Sequence, residues 1–410
     1  MDRLRVTADL HLHGLYSGAV SSDMVPKVIA EQAPLKGIQL LGTADILNNK
    51  WLSLLNEQLK YNNSSGLFEA ENGIKFILQT EVEDKNQVHH LILFPSLSKV
   101  QELRESIKKY CKDLDSEGRP KLWLSGEQIA EFCRGAECLI GFAHAFTPYF
   151  GLFSKFNSYK ECYGNRWRDI HFLELGLSAD TSMADRISEL HELTFTSNSD
   201  AHSPWPNKLG REFNMFEIQE ISFDEIKKAL QRKEGRKPVL NVKFNPLEGK
   251  YHKTRCRGCL KFFEPKIAQA LKWRCNECGA SIKKGVDYRI EELSDCSYSP
   301  EHRPKCLHII PLSEIIALAL NINNPWSEKV QELWKKFVKT FGSEIRILLE
   351  IEIKELNVVN EKVAKYIEYF RKNKIRYIPG GAGVYGKLLK PEEEFIENHP
   401  QKNLSDFSST

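Results

Sequence analysis

At 410 residues the chain is long enough for two to four domains. Lys plus Arg number 58 against 55 Asp plus Glu, a net charge of +3 that excludes a histone-like polycation but permits a local basic face. Hydrophobic residues at 41% and charged residues at 28% fit a soluble globular protein, and no run of about 18 apolar residues predicts a membrane span. The opening MDRLRVTADLHLHG enters a strand at once, with no basic segment, apolar run and cleavage site, so secretion is not expected. Ten cysteines, four of them in two CxxC pairs, read as metal ligands in a reducing compartment rather than as a disulfide framework. The expected location is cytoplasmic and nucleoid-associated.

From 6 to about 231, short β-branched runs alternate with helical stretches, the pattern of an α/β domain. Strands are predicted at 6–10, 38–43, 74–80, 88–94, 138–143, 172–175 and 193–197, with helices such as 23–32, 97–110 and 125–134 between them. Several strands run directly into His, Asp or Glu, and in βα barrels ligands gather at the C-terminal strand ends. The Lys-, Arg-, Asn- and Pro-rich stretch 235–246 reads as a linker, and 251–285, dense in Cys and Lys, as a small metal module. Helices at 311–320, 327–341 and 360–373 enclose a strand-like 345–352 and precede the Gly-rich IPGGAGVYGK. The stretch 391–410 is polar and reads as a disordered tail. No repeat at solenoid periods is present.

His11 and His13 end the first strand, and period-two alternation puts both imidazoles on one side of it. Asp45 ends the second strand, Glu81 follows the third, and His89 with His90 opens the fourth. His144 follows LIGFA, and Asp200 and His202 follow FTSNS. A single such His is ordinarily a core residue. Together the set exceeds what one zinc needs. It fits a di- or trinuclear site for Zn2+, Mg2+ or Mn2+, with a carboxylate such as Glu81 bridging ions that ionise a shared water near neutral pH. Asp200, Glu81 and His144 are the candidate catalytic residues. His89 and His90 face opposite ways, so one of them is a ligand.

Cys256-x2-Cys259 and Cys275-x2-Cys278, fifteen residues apart, make two zinc knuckles and one closed tetrahedral site. Such a site has no open position for substrate, so it is structural and contributes to folding. Lys250, Lys253, Arg255, Arg257, Lys261, Lys266, Lys272, Arg274, Lys283 and Lys284 surround it, interleaved with Phe262, Phe263 and Trp273. That mixture suits phosphate contact and base stacking, or is the solvated face of a zinc ribbon. Cys296 and Cys306 have no matching partners and are assigned structural places.

The HxH, the acids and the closing DAH resemble the PHP (polymerase and histidinol phosphatase) superfamily, whose fold is a distorted β/α barrel with a trinuclear metal site. In VHHLIL the position matching that family's VHxL is His89. The sequence departs where TADI offers Asp45 without a neighbouring His, and where the first loop reads GLYSGA without an acid. The order HLH, TAD, TEVE, HHLIL, GFAHAFTPYFGLFSKF, ELGLSAD, NSDAHSP, the two CxxC pairs and IPGGAGVYGK resembles the endonuclease Q family over about 4–390. The resemblance implies a DNA repair nuclease cutting immediately 5′ of hypoxanthine, uracil, xanthine or an abasic site. It would leave a 3′-hydroxyl and a 5′-phosphate.

The expected division is a catalytic domain at 1–240, a zinc module with linkers at 241–308, a helical DNA-binding region at 309–390 and a tail at 391–410. Reading a base edge requires taking the base out of the stack. Trp51, Tyr149, Phe150, Ser178, Asn198 and Ser199 are candidates for its pocket, although Asn198 and Ser199 equally suit turn stabilisation. Glu174 either supports the metal site or is a satisfied barrel carboxylate. Gly380, Gly381, Gly383 and Gly386, around Tyr385 and Lys387, form either a loop that clamps the DNA backbone with N–H groups or a plain turn. Gln401, Leu404 and Phe407 in QKNLSDF resemble the sliding-clamp peptide QxxLxxF, with Ser408 where a second aromatic is usual. A phosphatase of small phosphomonoesters and a catalytically degenerate DNA-binding module fit some of the same motifs.

Overall fold

The computed structural model describes residues 3–393, so Gln401, Leu404 and Phe407 lie outside the described residues. Twelve strands precede the cysteine pairs. They are β1 Leu4–Asp9, β2 Leu40–Gly42, β3 Lys60–Asn62, β4 Leu67–Glu69, β5 Lys75–Ile77 and β6 Gln79–Glu83, then β7 His89–Leu93, β8 Leu139–Phe142, β9 Ile170–Glu174, β10 Thr194–Thr196, β11 Phe213–Ile218 and β12 Lys237–Phe244. Then come β13 Arg255–Cys256, β14 Ile282–Lys283, β15 Lys305–Ile309, β16 Arg376–Ile378 and β17 Lys387–Leu389. One sheet runs β15-β12-β11-β1-β2-β5-β4-β3 and a second β10-β9-β8-β7-β6.

The two sheets curl into the distorted α/β barrel that the resemblance implies. Leu78 alone separates β5 from β6, and Thr43 N–H on Ile77 O and Phe94 N–H on Leu78 O carry the ladder across that seam. At the other seam Leu12 bridges Ala201, and side-chain amides replace a ladder. Asn214 bonds Ser197 through both its oxygen and its nitrogen, and Asn241 donates to Phe195 O. Val6, Ala8 and Leu10 alternate inward from β1, meeting Leu91, Leu93, Phe172 and Phe216, with the helix Phe223–Leu230 closing that cluster.

The rim follows from strand direction. β1, β2 and β5 run parallel, as do β8, β9 and β10, so the residues after β1, β8 and β10 emerge together. β7 is antiparallel to β6, with Glu83 opposite His89, and its first residue therefore reaches the same rim.

Two expectations are corrected. The stretch 235–246 is no linker: Lys237–Phe244 is β12, between β11 and β15. Its polar residues hid the alternation, because the buried ones find partners elsewhere: Asn241 donates to Phe195 O, and Lys243 pairs with Glu212 at 2.9 Å and donates to Gly176 O. Since β15 extends this sheet, 241–308 contributes to the barrel as well as to the cysteine module. The strand-like 345–352 is instead helical over Glu344–Leu349, capped by Ser343, whose hydroxyl accepts from Arg346 N.

The helices Leu312–Leu320, Glu328–Phe341, Glu344–Leu349, Ile353–Leu356 and Glu361–Arg371 pack around Trp334, Phe337 and Ile367. Glu344 ties them to the barrel: it accepts from Lys36 Nζ and from Trp334 Nε1, both at 2.6 Å, with Lys36 and Glu344 buried. Glu344→Ala would strand a buried ammonium, so a loss of about 3–5 kcal/mol is expected in urea unfolding. A loss below about 1 kcal/mol would show that the pair does not hold the two parts together.

Candidate metal centre and substrate cleft

At the barrel rim two groups of three ligand atoms meet: His11, His13 and Asp200, and Glu81, His89 and His144, the atoms of each within 4.8 Å of one another. Glu81 spans both. Its Oε1 lies 3.0 Å from His89 Nδ1 and from His144 Nε2, and its Oε2 lies 3.2 Å from His13 Nε2. Asp200 Oδ1 stands 3.3 Å from His13 Nε2 and 3.8 Å from His11 Nε2.

Carboxylates stand behind the rings. Glu174 is 2.9 Å from His11 Nδ1, Asp45 is 3.1 Å from His13 Nδ1, and Glu83 is 3.5 Å from His89 Nε2. A carboxylate on one ring nitrogen fixes the tautomer and turns the other lone pair toward the centre. His11 Nε2 and His13 Nε2 are buried, face carboxylates and have no hydrogen-bond partner among the described residues. Divalent cations would satisfy that donor set, so the residues present fit metal ions. Burial pushes His11 down, but Glu174 and Glu81 outweigh it and hold the ring at about 9. Burial raises the Glu81 carboxyl, yet His89 and His11 hold it well below the ordinary range. Protons therefore compete with cations for these rings, and ion affinity falls as pH falls.

His144 and Asp200 take left-handed backbone, φ 30° and 49°. Non-glycine residues there cost on the order of 1–3 kcal/mol, and such strain concentrates at functional sites. Gly176 makes the room, since a Cβ on it would lie 2.9 Å from His144 Cβ. Glu174→Gln weakens the partner of His11 without emptying space. Ion affinity by calorimetric titration is expected to fall about 10–100-fold, and an unchanged affinity would make Glu174 a plain barrel carboxylate.

Several expected sites move. Asp45 was expected as a ligand, but it sits behind His13, accepting from Gly14 N at 2.7 Å and Ser17 Oγ at 2.9 Å. His202 packs its ring 4.7 Å from that of His13 and bonds Asp200 O through Nδ1, outside both groups of three. His89, not His90, faces the centre. His90 turns away to Tyr163 Oη at 2.7 Å and to Asp84 at 3.4 Å. Glu83 and Arg119 were missed. Glu83 was readable, since two residues past Glu81 on a strand is the same face. Arg119 sits on a loop with no local signature.

A cleft of about 670 Å³ opens above the centre, and His89, His144 and Asp200 line it. Of the expected base-contact residues, Tyr149, Phe150, Ser178, Asn198 and Tyr385 line it. The Asn198 amide is committed, accepting from Leu10 N and donating to Glu174. Trp51 is buried elsewhere, stacked on Gly14 with Nε1 donating to Thr43 O. Ser199 is buried, its N–H on Asp9. Lys387 lies in β17 and does not line the cleft. Lys208, Arg211 and Tyr251, which no sequence motif marked, also stand on the walls. The glycine loop is no N–H clamp: Gly380 donates to Leu247 O, Gly381 to Val384 O, Gly383 to Lys250 O and Gly386 to Glu248 O. A Cβ on Gly380 would come 2.4 Å from Gly249 O, so the glycines serve close packing against that segment. The loop's contribution is Tyr385, with Lys250 Nζ 5.8 Å from its ring centre.

The four cysteines cluster as expected, with Cys256 Sγ 3.4 Å from Cys278 Sγ and Cys259 Sγ 3.6 Å from Cys275 Sγ. The edge of a tetrahedron with metal–sulfur bonds near 2.3 Å is roughly 3.8 Å. Phe263, Ile267 and Ile282 form the module's small core. Some of its cations are already paired: Lys253 with Asp287, Lys261 with Glu277 and Lys284 with Glu292. Cys296 Sγ bonds Asp185 O, and Cys306 is exposed on β15.

The family model described as the MJ0043 C-terminal domain matches residues 311–374. The protein MJ0043 of Methanocaldococcus jannaschii is 45% identical over 257 residues, covering 61% of this chain and 32% of that protein; this chain thus spans about a third of its length. The crystal structure of the lesion-specific endonuclease PfuEndoQ from Pyrococcus furiosus superposes with a TM-score of 0.91 at 48% identity, covering 95% of this chain and 96% of the other. Endonuclease Q in complex with a 27-mer duplex carrying an abasic lesion at its active site also gives 0.91 and 48%, with 95% and 97% covered.

Proposed function

The chain belongs to the endonuclease Q family, and on that premise we propose that it is a lesion-specific DNA endonuclease cutting the phosphodiester 5′ of a damaged base. Its substrates are duplexes carrying hypoxanthine, uracil, xanthine or an abasic site, cut to a 3′-hydroxyl and a 5′-phosphate. The observation that carries this reading is the pair of ligand groups joined by Glu81 at the floor of a cleft sized for a nucleotide.

His11, His13 and Asp200 would hold one divalent cation, and Glu81, His89 and His144 a second. Bound there, such ions would supply an ionised water and charge stabilisation at the departing oxygen. Glu174, Asp45 and Glu83 orient the imidazoles. Tyr149, Tyr251 and Tyr385 offer aromatic faces to an unstacked base, and the Ser178 hydroxyl stands beside them for its edge. Lys208 and Lys250 on the same walls attract the phosphate backbone.

The four cysteines take a structural Zn2+, and the helical region 309–390 extends the DNA contact. Among the described residues no helix is long and apolar enough to cross a membrane. Gln401, Leu404 and Phe407 give the protein a route to a sliding clamp. The test is cleavage of end-labelled duplexes bearing one inosine, uracil or abasic site, beside an undamaged control. One nick 5′ of each lesion and none in the control is expected. Equal cutting of the control would remove lesion specificity, and turnover of free phosphomonoesters without nicking would move the protein to small-molecule chemistry.

A further inference from the structure

A cation stands directly against the metal centre. Arg119 Nη1 lies 3.3 Å from Glu81 Oε2, and the side chain lines the cleft with His89, His144 and Asp200. Its Nε is buried and has no hydrogen-bond partner among the described residues. One side of the guanidinium is thus fixed on the bridging carboxylate while the group borders the space where a phosphate would sit. Planar, always charged and carrying five N–H donors, it matches a phosphate in shape and sign.

The backbone holds it there from both sides. Gly118 N–H donates to Tyr16 O at 3.1 Å, and Pro120 O accepts from Glu83 N at 3.0 Å. A Cβ on Gly118 would fall 2.2 Å from Ser17 Oγ and 2.4 Å from Asp45 Oδ2, so glycine lets this loop reach the residues that orient His13. The other arginine on the cleft wall is less free: Arg211 Nε and Nη2 both donate to Ser199 O.

Such placement matters because charge grows on the non-bridging oxygens as a phosphodiester is cut, and donors fixed in advance stabilise it without reorganising. We propose that Arg119 is a catalytic residue that binds a non-bridging oxygen of the scissile phosphate. The bond from the water oxygen to phosphorus forms, the phosphorus–O3′ bond breaks, the water's proton passes to solvent, and the leaving 3′-oxygen takes a proton from solvent. Arg119 exchanges no atoms in this step. The assignment rests on the endonuclease reading above and deepens it.

The experiment compares wild type, Arg119→Ala and Arg119→Lys in single-turnover nicking of a uracil duplex, with duplex affinity and bound metal measured on each full-length protein. The Ala variant should cut about 10²–10³-fold more slowly, with metal content equal to wild type and duplex affinity within about threefold. Added guanidinium should restore part of its rate and none of that of Asp200→Ala. Lys keeps the charge but not the fork, and it should recover only a fraction of the rate with metal retained, which covers a poorly folded Ala variant. An unchanged rate in either variant, or a rate lost in step with lost metal, would overturn the assignment, the latter making Arg119 a support for Glu81. Wild type that fails to nick would instead overturn the endonuclease reading.

Discussion

Asp200→Ala is expected to slow nicking by about a thousandfold or more while most of the duplex affinity survives. Asp200 faces both His11 and His13, and its loss leaves one ligand group with two imidazoles and no carboxylate of its own. Affinity persists because DNA binding draws mainly on cations facing the phosphates, and Lys208 and Lys250 are untouched. Asp200→Asn separates charge from shape, since Asn accepts the left-handed φ of 49° more readily than Ala does. It should be nearly as slow as Ala. Rates within tenfold of wild type for both variants would remove Asp200 from the centre, and affinity lost in parallel would mark it as a binding residue.

Cys275→Ser is the second large effect. Its sulfur sits 3.6 Å from Cys259 Sγ, and the module's own core is small, built on Phe263, Ile267 and Ile282. A core of that size cannot fold the module unaided, and structural zinc sites contribute about 10–16 kcal/mol near neutral pH. The variant should lose one zinc per chain and gain protease cleavage within 251–285. Duplex affinity should fall as well, because Lys250 and Tyr251, at the entry to the module, form part of the cleft wall. Full zinc content, or wild-type protease resistance without zinc, would contradict a structural role.

Much of the centre was legible because strand ends carry a local code. His11 and His13 share a face by period two, and Glu81, His144 and Asp200 each come at or shortly after the end of a strand expected from the sequence. What stayed hidden depends on contacts between distant segments. Asp45 has the chemistry of a ligand, yet Gly14, Ser17 and His13 take up its oxygens. Trp51 looked like a base platform but fills the space above Gly14. The glycines of IPGGAGVYGK suggested phosphate-binding N–H groups, whereas the chain itself supplies their acceptors. Residues 235–246 were polar enough to pass for a linker because composition cannot reveal that Lys243 meets Glu212 and Asn241 meets Phe195 O. Arg119 is the plainest case: its place beside Glu81 follows from a loop anchored to two others, and no spacing in the sequence carries that information.

If the two ligand groups around Glu81 form the catalytic metal centre, apart from the cysteine site, nicking depends on ions that the cysteines do not hold. The protein is stripped with a chelator too weak to empty the cysteines, and Mn2+ or Mg2+ is then added back in steps. Nicking of a uracil duplex and bound metal are followed together. Nicking should vanish on stripping with one zinc per chain retained, and it should return as two further ions bind. In Asp200→Ala those ions should bind weakly and nicking should not return. Nicking that persists with the cysteine zinc as the sole bound ion would show that the residues around Glu81 do not hold the catalytic metal.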